Sequence, residues 1–156
     1  MKNISIKNKK ILFFAAISIV FLVSFFFYIF NFDGKSYSFY FYLSGTDKLL
    51  QETKSISMPY KEEKVKLYVE ELLLGTSLKR ALPVFPLGTR ALFCFLNEGT
   101  LYLNLSENAI YNLNDNFELQ KRIQLLEYNI KKNFHKIQKI ELYIDGNPIN
   151  FPLKNK

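Results

Sequence analysis

Ser106, His135 and Asp145 are of the residue types that a nucleophile, a general base and an orienting carboxylate require. No surrounding sequence supports that geometry, so a hydrolase triad is the weakest of the functional readings. His135 is the only histidine; no second imidazole shares a metal with it and no Asp or Glu adjoins it at ligand spacing, which reads as a surface residue past a helix end. Cys94 is the only cysteine and cannot form an internal disulfide. Set within Leu92-Phe93-Cys94-Phe95-Leu96, it reads as a small buried hydrophobe, since a reactive thiolate wants an electropositive, partly open setting. Glu70 and Glu71 resemble a carboxylate dyad, but adjacent helical residues do not face each other, and a solvated edge is expected. Gly88 is too isolated to cradle a phosphate, and neither GxxxxGK[ST] nor GxGxxG occurs. The expectation is a non-enzyme with no catalytic, cofactor-binding or metal-binding residues.

The element that dominates the chain is Ile11 to Phe30, twenty residues without a charge, Asn, Gln, Pro or Gly. As a helix rising about 1.5 Å per residue it spans roughly 30 Å, the hydrocarbon thickness of a bilayer. A cleavable signal has an apolar core of about 7–15 residues ending near small residues. This run ends in Phe25-Phe26-Phe27-Tyr28-Ile29-Phe30, and the one small-x-small candidate, Ser36-Tyr37-Ser38, lies well past it. No cysteine follows to carry a lipoprotein's lipid. Lys2, Lys7, Lys9 and Lys10 precede the run, which predicts a cytoplasmic N-terminus and an uncleaved single-pass anchor in the inner membrane. The expected division is a cytoplasmic segment 1–10, an anchor 11–30, a linker 31–36 and one extracytoplasmic domain 37–153. Four of the 21 Lys and Arg precede the anchor, leaving 17 against 14 Asp and Glu, interleaved rather than clustered. That balance speaks against a nucleic-acid groove.

In the outer domain, Tyr37 to Leu43 is aromatic almost throughout and predicts a strand covered on both faces, ended by Ser44-Gly45-Thr46-Asp47. A short second strand is expected from Thr53 to Ser57. Val65, Tyr68, Val69, Leu72 and Leu73 recur at helical spacing, so a helix is expected from Pro59 to Leu74, with Glu62 and Glu63 near its start and Gly75 ending it in a left-handed conformation. Leu82 to Thr89, with Pro83, Pro86 and Gly88, predicts a loop. Arg90–Leu96 and Thr100–Leu105 read as a hairpin turning at Asn97-Glu98-Gly99. Within it Leu101, Leu103 and Leu105 form a core face, and Tyr102 and Asn104 a wet one. A polar connection, Ser106 to Asn114, leads to a capping box of Asp115 and Glu118 and a helix through Leu119, Ile123, Leu126, Ile130 and Phe134, with Lys131 and Lys132 at its negative end. Ile137–Ile144 is the last main strand, stopping at Asp145-Gly146-Asn147-Pro148, and Ile149–Leu153 an edge strand. The expected class is α+β, a small mixed sheet packed with two helices in the order β-β-α-β-β-α-β.

Four motifs in that order resemble the GerMN domain of bacterial sporulation and germination proteins. Val69-Glu70-Glu71-Leu72-Leu73-Leu74-Gly75 is similar to the family's Leu-Leu-x-Gly helix end, and Phe85-Pro86-Leu87-Gly88-Thr89 to its Ile-Pro-x-Gly-Thr loop. Glu98 to Ser106, beginning with Gly99 in its second place, resembles the family's Gly-to-Asp-Leu-Ser strand. Lys139 to Gly146 resembles its closing strand and Asp145-Gly146 turn. The match is distant: Thr76 stands where Pro is usual, Asn104 where Asp is usual, and the Thr and Pro around the second helix's end are missing. The resemblance implies a ring-building type of domain used in envelope proteins without established enzymatic activity. Leu72, Leu73, Gly75, Pro86, Gly88, Thr89, Gly99, Asp145 and Gly146 are its structural motif residues. The leading functional reading is a membrane-anchored interaction or scaffold module that contacts envelope proteins or its own copies. The alternative is a glycan or small-ligand module using the aromatics of Tyr37–Tyr42, although those residues also suit a core.

Overall fold

The computed structural model describes residues 6–31, 34–57, 63–111 and 116–149, and the chain divides into two compact units, 1–34 and 35–156. The first unit holds one helix, α1 (Ile6–Asn31). Its stretch Ile11–Tyr28 has a mean hydropathy of 2.6 and is nowhere buried in protein. Apolar on every side, this stretch has no polar stripe to turn toward water, which is the pattern of a helix surrounded by lipid or core.

The second unit begins with β1 (Gly34–Leu43), which turns at Gly45 and returns as β2 (Leu49–Ser57), four residues longer at its start than the expected Thr53–Ser57. α2 (Lys64–Leu74) buries the expected face of Val65, Tyr68, Val69, Leu72 and Leu73; Pro59 and Glu62 lie outside the described residues. β3 (Ala81–Leu82) pairs antiparallel with the end of β1, Tyr42 opposite Leu82, so the expected loop starts at Pro83 instead of Leu82. β4 (Ala91–Asn97) and β5 (Thr100–Leu105) form the hairpin, with Glu98 and Gly99 both at positive φ in its two-residue turn. A 3-10 turn (Glu107–Ile110) occupies the expected polar connection. After α3 (Asn116–Asn133) come β6 (Lys139–Ile144), starting two residues later than expected, and β7 (Asn147–Pro148). Asp115 lies outside the described residues. Of the expected edge strand only Ile149 is described; it follows β7 and donates its N–H to Leu142 O at 2.9 Å.

The strands divide between two sheets, one ordered β2-β1-β3 and the other β4-β5-β6-β7. In the second sheet β5 and β6 are parallel and linked by the α3 crossover, while the other pairs are antiparallel, which makes it a mixed sheet. Residues of both sheets and of α2 and α3 meet in one core containing Phe39, Phe41, Tyr68, Leu72, Phe85, Leu101, Leu103, Leu105, Leu126 and Ile130, all fully buried. β1 alternates more than its composition suggests. Tyr37, Phe39 and Phe41 are buried, while Tyr40 and Tyr42 are half-covered.

Candidate interaction surfaces

β1 meets β3 only at Tyr42 and Leu43, which leaves the same edge of Tyr40 and Ser38 without a strand partner. α3 supplies one from its side chains. Asn129 Oδ1 accepts the Tyr40 N–H at 2.8 Å and its Nδ2 donates to Tyr40 O at 2.9 Å. Asn133 repeats the pattern on Ser38, at 3.0 Å and 2.7 Å. The spacing works because four helical residues rise about 6 Å and two strand residues about 6.6 Å. Tyr68 ties the pair together: its hydroxyl donates to Ser38 O at 3.0 Å and accepts from Asn133 Nδ2 at 2.9 Å. Burial, with a smaller contribution from Tyr40, pushes the Tyr68 phenol strongly upward, so it stays protonated. The repeat Asn129-x-x-x-Asn133 on a helix face was the available sequence signal for this network.

The motif residues shape the chain's corners. Leu72 and Leu73 are core residues. Gly75 has φ 94 and ψ −154, positive as expected but outside the left-handed helical region, in a conformation essentially reserved for glycine. Lys54 closes that helix end, donating to Gly75 O at 3.2 Å and pairing with Glu71 at 2.9 Å. Thr76, in the place of the usual proline, donates to Glu52 at 2.8 Å, and Ser77 does so at 2.5 Å. Burial alone would raise the Glu52 carboxyl, but these hydroxyls and Lys54 together hold it below its ordinary value. Pro86 O accepts both the N–H and the hydroxyl of Thr89, at 3.1 and 2.7 Å, and Gly88 turns between them with φ 89. A Cβ on Gly88 would lie 3.3 Å from Asn108 Nδ2, which donates to Gly88 O. Asn104, expected on a wet face, is buried, and its Oδ1 accepts the Gly146 N–H at 3.1 Å. It therefore holds the Asp145-Gly146 turn with the same oxygen that an aspartate would present.

Ser106 and Asp145 do come together, lining a shallow groove of about 490 Å³ with Gly88, Arg90 and Asn108. His135 does not join them. β5 and β6 run in register from Thr100–Lys139 to Leu105–Ile144, so Ser106 and Asp145 follow one end and the exposed His135 precedes the other, at least roughly 15 Å away at about 3.3 Å per residue. Ser106 Oγ accepts the Arg90 N–H at 3.1 Å and serves the loop. Burial, reinforced by Glu70, pushes the half-buried Cys94 thiol up to about 12. Glu70 lies near Cys94 while Glu71 pairs with Lys54, so the two carboxylates serve separate contacts. Among the described residues no group of three or more His, Cys, Asp or Glu is placed to hold a metal.

A second concavity, about 390 Å³, lies between the β1–β2 turn, the loop after β3 and α3, lined by Tyr42, Asp47, Leu82, Glu118, Lys121 and Arg122 among others. Lys121 sits 4.7 Å over the Tyr42 ring and pairs with Asp47. Glu118, the expected cap residue, is held by Arg122 at 2.7 Å, and Arg122 also donates to Val84 O at 3.0 Å. The third surface is the outer face of the second sheet. Phe95 stacks on Tyr102 at 5.1 Å, Phe93 lies 5.8 Å from Phe95 and 6.0 Å from Tyr143, and the Lys139–Glu141 pair borders them.

Two sheets around a shared core, with corners set by short turn motifs and side-chain hydrogen bonds, define a small α+β domain. Its family follows from the chain itself: a family model described as Germane, Sporulation and spore germination, matches residues 38–150, and the chain belongs to that family. The fold is similar to the first GerMN domain of the sporulation protein GerM from Bacillus subtilis, at 19% identity and TM-score 0.54 over 74% of this chain and 89% of that one. The tandem GerMN domains of the same protein give 20% identity and TM-score 0.54, with 74% of this chain covering 41% of that longer one. A protein from Clostridium perfringens named as a candidate lipoprotein gives 24% identity and TM-score 0.48, over 73% and 76%. No curated protein sequence matches significantly. The resemblance of the chain to the GerMN domain is thus borne out.

Proposed function

We propose that this protein is a non-enzymatic interaction module of the bacterial cell envelope, held in the inner membrane by residues 11–30, with its N-terminus cytoplasmic and its GerMN-like unit outside. The observation that carries the reading is α1, whose 18-residue apolar window is exposed throughout and reaches bilayer thickness. The partners are envelope proteins or further copies of the chain, met through exposed sheet surface. No nucleic acid is involved. Tethering supports weak contacts, because partners confined to one plane meet at high effective concentration. Carbonate extraction of membranes should leave the full chain in the pellet, and a periplasmic reporter fused after Lys156 should be active. Release of the intact chain, or a reporter active only in the cytoplasm, would refute the anchor or its orientation. A small-ligand reading draws on the 390 Å³ cleft, which falls in the size range of ligand sites. Among the described residues its one aromatic is Tyr42, whose ring Lys121 already covers. Glycan pull-down with the wild type and Tyr42→Ala separates that reading from the first.

A further inference from the structure

The edges of the two sheets are treated unequally. β1 is finished by Asn129 and Asn133, β2 carries Glu52 and Lys54, β3 has two residues, and β7 has two with Pro148 among them. Charge, brevity and proline are the ordinary protections of an edge. β4 has seven residues with neither charge nor proline; it pairs with β5 on one side, and α2 packs against it with Glu70 and Lys66 near Cys94, leaving its other edge without a strand. Leu92, Phe93, Phe95 and Leu96 on it are 39–54% exposed. Its one irregularity is a bulge at Leu92, near its start.

The sequence of this edge is self-complementary. Residues 92–96 read Leu-Phe-Cys-Phe-Leu, the same in both directions about Cys94, and two residues outside them stand Arg90 and Glu98, of opposite charge. When two copies of a strand pair antiparallel about a twofold axis, the numbers of facing residues have a constant sum. With Cys94 on the axis, Phe93 faces the partner's Phe95, Leu92 faces the partner's Leu96, and Arg90 faces the partner's Glu98. We propose that β4 is a self-docking edge on which a second copy of this chain adds antiparallel, with Cys94 at the twofold axis. This rests on the interaction-module reading and names its partner.

The pairing joins the Phe93–Phe95–Tyr102–Tyr143 clusters of the two copies and places opposite charges at both ends. Arg90 and Glu98 are exposed, and among the described residues neither forms an ion pair. Arg90 and Glu98 lie just outside the strand, Arg90 before the bulge and Glu98 in the hairpin turn, so the charges would meet through their side chains and not through ladder positions. Near the axis each copy brings Glu70 and Lys66 of α2 beside Cys94, one charge of each sign, so the acid of one copy can meet the base of the other.

The test is energy transfer between donor- and acceptor-labelled full chains co-reconstituted in phospholipid vesicles. Wild type should self-associate, and Arg90→Glu or Glu98→Arg, each placing two like-charge pairs in the interface, should weaken association about tenfold. The double variant Arg90→Glu/Glu98→Arg should restore it, which a merely destabilised fold would not do. Phe95→Lys should abolish it, with unchanged thermal midpoints for the charge variants as the folding control. Absence of transfer in wild type, or transfer indifferent to both the charge variants and Phe95→Lys, overturns the proposal. If transfer is absent and Phe95→Lys still fails to complement a deletion strain, β4 binds another molecule and the interaction-module reading survives. If Phe95→Lys also complements fully, both fall.

Discussion

Asn129→Ala tests whether α3 finishes the edge of β1. Asn129 is fully buried, and its amide serves the Tyr40 N–H, the Tyr40 carbonyl, the Tyr68 hydroxyl and Leu125 O. Leu125 O loses little, because a helical carbonyl has its own N–H partner. The Tyr40 groups have no other strand beside them, and each orphaned buried group costs about 1–3 kcal/mol. Tyr40 is half-covered and admits some water, which places each cost near the lower end, while loss of the packed amide adds to it. The sum is about 3–4 kcal/mol out of a typical 5–15, and a fall in melting temperature of roughly 10–20 °C. Asn133→Ala, in a less buried position with Ser38, should cost about half as much, and Gln124→Ala, exposed on the same helix, almost nothing. Thermal unfolding of residues 35–156 measures all three, and hydrogen exchange at the Tyr40 amide localises the effect. A midpoint for Asn129→Ala within about 2 °C of wild type, or an equally stable Asn129→Leu, would refute the account, since leucine fills the space and satisfies nothing.

Three further perturbations probe the corners. Gly75→Ala should destabilise by about 1–3 kcal/mol through backbone strain alone, since a Cβ there would meet Pro83 Cβ at an ordinary 3.5 Å; an unchanged urea midpoint would contradict this. Asn104→Asp should stay within about 1 kcal/mol of wild type at neutral pH because it keeps the acceptor for Gly146, whereas Asn104→Ala should lose about 1–2 kcal/mol; equal losses would remove the turn-holding role. Glu52 has a folded pKa below its unfolded one, so its stabilisation is present above the ordinary value of 4.5 and is lost as pH falls through the folded pKa. The gap in stability between wild type and Glu52→Gln should therefore close in acid, and a gap constant from pH 7 to pH 3 would refute it.

What was legible in the sequence was what a local period can carry. The charge-free run, the Leu101–Leu103–Leu105 face, the Glu98-Gly99 turn and the apolar stripes of α2 and α3 each announce themselves within a few residues. Missed features depend on meetings across long separations. Asn129 and Asn133 look like ordinary polar positions until β1, 89 and 95 residues earlier, is known to lie beside them. Alternation places Asn104 correctly on the face opposite the leucines, yet the β6–β7 turn folds against that face and buries it. Thr76 departs from the family's proline, and only the nearness of β2 shows that its hydroxyl binds Glu52. The split into two sheets was equally hidden, because β3 is too short to leave a period. Ser106, His135 and Asp145 failed as a triad on topology: a parallel β5–β6 pair sends two of them to one end and the third to the other.

The self-docking edge also sets a stoichiometry, and here the resemblance and the geometry diverge. A ring-building domain forms rings through head-to-tail contacts, in which each subunit offers two different surfaces. A twofold β4 pairing uses one surface twice, and among the described residues the far edge of the same sheet, β7, has only two residues and a proline, while the β2 edge of the other sheet carries Glu52 and Lys54. The assembly therefore closes at two. Edge contacts of this kind are modest in area, so the dimer should form in the membrane plane, where tethering concentrates the chains, and dissociate once the outer unit is cut free. Single-molecule photobleaching of the full chain in vesicles should give one- and two-step traces, with the two-step fraction rising with protein-to-lipid ratio to a plateau. Traces with more steps at the same densities would show head-to-tail association and remove the twofold edge as the organising contact.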